Sequence, residues 1–194
     1  MEPTLSPIGG PRILTPKARG HGPYNALPFK WRAGVEIRGE YGFLNLAGIH
    51  VFKGPLCASD NSRAEFLILC GAYVPDGIDL TKLDLNGRLY GQGLFTKNLR
   101  LGGSSDDIDL SCSYVEGELD LSGLDFTISL YLRDGIFETV NFGHDFNRKF
   151  DTLDLRTTSI LRVQGVVPAG IHTMLLDEET RIPESFRKYL EQFR

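Results

Sequence analysis

The residues best suited to chemistry fall in one short run, Ser104-Ser105-Asp106-Asp107-Ile108-Asp109. Asp106, Asp107 and Asp109 place three carboxylates within four positions, and a hard cation such as Ca²⁺ takes its ligands from oxygens of this kind. Arg100 and Arg133 are the local candidates for a base beside it. His144-Asp145 is the other meaningful pairing, because a carboxylate can orient an imidazole for proton transfer. No nucleophile lies near it in sequence, and His21, His50 and His172 are far away. Cys57, Cys70 and Cys112 are odd in number and widely spaced, which argues against a disulfide framework or a zinc site and fits a reducing compartment. The nucleophile elbow, the phosphate-binding glycine loop and the His-Glu-x-x-His helix do not occur. The expectation is therefore no catalytic residue, no cofactor and no resident metal, with Asp106, Asp107 and Asp109 as the alternative, a Ca²⁺ loop of a small polysaccharide enzyme.

Charge narrows the partners. Residues 1–64 hold four acids and eight bases, residues 65–155 sixteen acids and seven bases, and residues 156–194 five acids and six bases. An acidic centre between basic flanks is a poor direct binder of nucleic acid, whose phosphates are contacted through Lys and Arg. No apolar run approaches the roughly 20 residues that span a bilayer, and no basic-then-apolar leader opens the chain. A cytoplasmic protein without membrane contact is expected.

The elements that would position these groups are short strands. Ile78-Asp79-Leu80, Leu83-Asp84-Leu85, Leu99-Arg100-Leu101, Ile108-Asp109-Leu110, Leu119-Asp120-Leu121, Leu130-Tyr131-Leu132 and Val140-Asn141-Phe142 each set two apolar side chains on one face and a polar one on the other. They recur about every ten or eleven residues, half a turn of a coiled β-solenoid. Many of the 22 glycines lie between them, where turns need positive φ. Within Ile78–Ile136 the rhythm tightens to five: Leu80, Leu85, Tyr90 and Phe95, then Leu110 and Val115, then Leu121, Phe126, Tyr131 and Ile136.

The units Ile78-Asp79-Leu80-Thr81-Lys82, Leu83-Asp84-Leu85-Asn86-Gly87 and Ile108-Asp109-Leu110-Ser111-Cys112 resemble pentapeptide repeats. The resemblance covers about Ile78 to Phe146. It implies a right-handed quadrilateral β-helix with the central Leu or Phe of each unit inward. The position two before the centre, small in that family, is often Ile, Leu or Arg here, so a looser right-handed parallel β-helix of about 20–22 residues per coil is the companion expectation. Some members of the family mimic duplex DNA in shape and charge and engage DNA gyrase.

Three regions follow. Residues 1–28 are rich in Pro and Gly and read as an extended arm, residues 29–176 as the solenoid, and residues 177–194 as a C-terminal helix. Trp31 is expected either to plug the open end of the solenoid or to take a plain core position. In the helix, Pro183 suits the first position and Glu184 the positive N-terminus, while Phe186, Leu190 and Phe193 share a stripe with Tyr189 beside it. That stripe caps the last coil or pairs two molecules as a homodimer. The functional expectation is a non-catalytic protein-interaction module with an acidic face, Asp79, Asp84, Asp109, Asp120 and Asp125, offered to a protein partner of the DNA-handling kind.

Overall fold

A short strand with one apolar face must bury that face and satisfy its edge groups beyond its own run. This chain does both by winding. In a computed structural model, which describes residues 12–15, 24–25, 30–144, 151–166 and 171–191, the chain forms a parallel β-solenoid of about six turns with one C-terminal helix.

Four stacks of parallel strands make its sides. On the first side, Val35, Leu56, Ile78, Leu99, Leu119, Val140 and Val163 lie in successive register, 20 to 23 residues apart. The second side pairs Arg63 with Asp84, and further along Gly102 with Gly123. The third stacks Leu44, Leu67, Leu89, Ile108, Leu130, Leu153 and Met174. The fourth stacks Lys30, His50, Tyr73, Phe95, Tyr114, Ile136 and Ser159. Long strands such as Leu99–Asp109 and Tyr114–Tyr131 run round corners, with register shifts where they bend.

The core is the column of aliphatic side chains inside. Leu44, Leu67, Leu89, Ile108, Leu130 and Leu153 are all fully buried, each worth roughly 1.5–3 kcal/mol of apolar burial. The triplets behave as their pattern requires: Ile78, Leu80, Leu83, Leu85, Leu99, Leu101, Leu119 and Leu121 all point inward. The five-residue rhythm does not hold throughout. Leu80, Leu85, Leu110, Val115 and Leu121 are buried, but Ile136 is exposed, Phe95 is half-buried in the same outward stack, and Tyr90 and Tyr131 are half-buried beside inward Leu89 and Leu130. Strand alternation sets this phase: each of these residues neighbours an inward one and so faces the other way.

The corner between the third and fourth sides has one backbone conformation in six successive coils. Gly48, Gly71, Gly93, Cys112, Asp134 and Thr157 occupy it with φ of 56° to 68°. The N–H of Gly71 donates to Gln92 O, that of Cys112 to Arg133 O and that of Asp134 to Arg156 O, so the ladder continues through the turn. At Thr157 the Asp177 carboxylate accepts the N–H instead, at 2.9 Å.

The ends depart from a plain arm and helix. Arg12–Leu14 pairs in parallel with Val35–Ile37, and Leu14 is buried, so part of the Pro/Gly-rich segment belongs to the solenoid. Trp31 is buried in the first complete coil. Helix α1 (Glu184–Leu190) lays Phe186 and Leu190 into the core, with the Phe186 ring 5.9 Å from that of Phe142 and Tyr189 packed beside them. Phe193 and residues 145–150 lie outside the described residues.

Candidate partner-binding surfaces

The acidic residues singled out above sit on three sides. Asp79 and Asp120 share the outer column of the first side, with Arg100 between them in register. Asp84 stands on the second side, where Arg63 lies 3.7 Å away, and Asp125 is exposed beyond the Gly123–Leu124 step of that side. Asp109 is on the third side, between Tyr90 and Tyr131. The winding therefore spreads the five carboxylates around the rod.

Three of them also do local work. Asp79 Oδ1 accepts the Thr81 N–H, Asp109 Oδ1 the Ser111 N–H and Asp120 Oδ1 the Ser122 N–H, each two residues on, closing Asx turns where a strand meets a corner. Asn45, Asn141 and Asp154 make the same bond in other coils. The Asp in Ile-Asp-Leu is thus a turn residue as well as a charge. Burial opposes ionisation of Asp154, but hydrogen bonds from the Arg156 side chain and backbone N–H outweigh it and lower its pKa.

The Asp106–Asp109 run is divided between different neighbours. Asp107 is 3.0 Å from Arg88, Asp109 accepts from Gln92 Nε2 at 2.6 Å, and Asp106 is exposed. Among the described residues no three His, Cys, Asp or Glu side chains converge as a cation would need. Of the local bases, Arg133 pairs with Asp134 at 3.2 Å and Arg100 lies on the first side. Cys70 donates to Gln92 Oε1, and burial raises the pKa of both Cys57 and Cys70, away from reactive thiolates. His144 is described but Asp145 is not, so that pairing lies partly outside the described residues.

The fourth side carries a feature the motif reading missed. His50, Tyr73, Phe95 and Tyr114 form an outward ring ladder, with centroids 5.7, 4.9 and 5.4 Å apart in turn. The last two steps are stacked, at 17° and 16° between planes. Ile136 extends the column, Phe52 lies beside His50, and Leu161 follows Ser159 by two. The signal was present: an aromatic or large apolar residue recurs at 50, 73, 95, 114 and 136, one per coil. It emerges only once the coil length is known.

No family model, curated protein or solved structure matches this chain. The class to which it belongs is set by its own coordinates: a parallel β-solenoid with a C-terminal helix packed on its last coil. Among the described residues no helix is long and apolar enough to cross a membrane.

Proposed function

We propose that the protein is a non-catalytic protein-interaction module whose acidic sides bind a partner of the DNA-handling kind. The observation that carries this reading is the register. Outward side chains of successive coils fall in straight columns about 4.8 Å apart, so the rod holds its charges in a fixed array. Asp79, Asp109, Asp120 and Asp125 are in no ion pair with other described residues, while Asp84 has only a long contact to an exposed arginine. Carboxylates distributed around a rod suit a partner that grips a duplex from more than one side, and the resemblance to pentapeptide repeats supports the same reading. The partner's basic cleft would supply the attraction, and the association rate would fall as salt rises.

The test exploits the Asx turns. Replacing Asp79, Asp84, Asp109, Asp120 and Asp125 together by Asn removes five charges but keeps the side-chain oxygen that each turn needs, as Asn45 and Asn141 show. The expected result is an unchanged circular dichroism spectrum, capture of a DNA-handling protein by the wild type alone, and release of that protein by duplex DNA. Capture retained by the quintuple variant would overturn the acidic reading.

A further inference from the structure

Among the described residues, five of the eight exposed large apolar side chains lie on the fourth side. Phe52, Tyr73, Tyr114, Ile136 and Leu161 are 51, 37, 39, 52 and 68% exposed. The rings lie against one another, so they offer a partner their edges rather than open faces. That geometry suits a second flat, apolar surface more than a stacked sugar.

Reversing the order of the rungs shows which surface fits. A two-fold axis lying in this side, along the strands and between the Phe95 and Tyr114 rungs, sets Phe95 against Tyr114 of the second copy and Tyr73 against Ile136. It also sets Phe52 against Leu161 and exposed Lys97 against exposed Glu116. Apolar meets apolar at Phe95–Tyr114, Tyr73–Ile136 and Phe52–Leu161, and the charges nearest the axis are opposite; His50 falls against Ser159, and Glu138, which pairs with Arg162 of its own chain, falls against Pro75. We infer that this side is a self-complementary interface, through which two copies of the chain pair antiparallel. Six rungs at ~4.8 Å give a strip about 24 Å long and roughly 12 Å wide, a footprint of roughly 600 Å² over the two copies before side-chain relief is counted, which is the size of a weak, reversible contact. The dimer is accordingly concentration-dependent. It leaves the carboxylates of the first and second sides free and does not use helix α1.

Phe52 and Leu161 lie at opposite ends of the strip, five rungs apart, and meet only across the two-fold. This makes a reciprocal test possible. Phe52→Lys and Leu161→Glu each set a charge against an apolar side chain at both ends of the homodimer. Mixed in equal amounts, they form a heterodimer with one opposite-charge pair and one wild-type pair. The measurement is sedimentation equilibrium of the full chain from about 1 µM to about 1 mM, with native mass spectrometry of the mixture. Circular dichroism confirms that both exposed-site variants fold. The expected result is a wild-type dimer, a dissociation constant raised at least about tenfold in each variant, and recovery to near the wild-type value in the mixture, as the heterodimer. Three results would each overturn the inference: a wild-type monomer throughout the range, a dimer indifferent to both substitutions, or two weakened variants that do not rescue each other. A parallel face-to-face pairing gives the last of these, because it would set Phe52 against Phe52.

Discussion

Two residues at one corner separate backbone strain from packing. Gly71 has φ +63°, and a Cβ built there would meet nothing within 4 Å. Gly71→Ala therefore tests the left-handed conformation alone and should cost about 1 kcal/mol in denaturant unfolding, while Gly71→Asn, which tolerates that region better, should cost less. Thr157 holds the same conformation despite being β-branched, and Asp177 compensates by accepting both its N–H and its hydroxyl at 2.9 Å. The Thr157 N–H and the Thr180 hydroxyl together hold the Asp177 pKa at about 2. A depressed carboxylate pKa stabilises the fold above its unfolded value near 3.9 and ceases to as pH falls through about 2. Asp177→Ala should thus lower Tm by a constant amount from pH 5 to 8, and the gap should close between about pH 4 and pH 2. A gap that persists undiminished at pH 2 would assign the effect to something other than the carboxylate.

At the scale of elements, helix α1 acts as the lid of the core. A helix of seven residues has little stability alone, so its place rests on Phe186 and Leu190, 4 and 0% exposed. Phe186→Ala should cost about 3–4 kcal/mol and Leu190→Ala about 2–4 kcal/mol in urea unfolding. If the helix served only to pair molecules, both would change association and leave dilute-solution stability alone. The strands and this helix were legible because their signals are local: Ile78-Asp79-Leu80 alternates, and Pro183-Glu184 opens an amphipathic stripe. What was not legible depends on coil length, because residues 18 to 23 apart become neighbours and one slip reassigns a side. The slip between Gly103 and Ser104 illustrates this: it pairs Ser104 with Phe126, where an unbroken register would give Asp125. The five acids read as one face for the same reason, since a five-residue rhythm treats all corners as equal. The left-handed corner, occupied by Gly in three coils and by Cys112, Asp134 and Thr157 in the next three, had no single residue type to betray it.

For the whole molecule, the consequence of winding is that each coil leans only on its two neighbours. Stability then behaves as a sum of coil and nearest-neighbour terms, with the ends missing one term. The central strands Leu83–Tyr90, Leu99–Asp109 and Tyr114–Tyr131 are paired on both edges, whereas among the described residues Arg12–Leu14 and Thr173–Leu175 pair on one. The two ends also differ from each other: the last coil has Phe186 and Leu190 packed on it and the Asp177 carboxylate closing its corner, while among the described residues Arg12–Leu14 pairs with Val35–Ile37 alone. Hydrogen exchange at low denaturant should therefore show the slowest amides between residues 83 and 131 and a steeper fall toward the N-terminal end than toward the C-terminal one. Phe186→Ala should reverse that asymmetry without changing the centre, because its effect is confined to the coil it covers. Uniform protection, with every coil shifted equally by Phe186→Ala, would mean that the rod unfolds as one cooperative unit and that its coils are coupled beyond nearest neighbours.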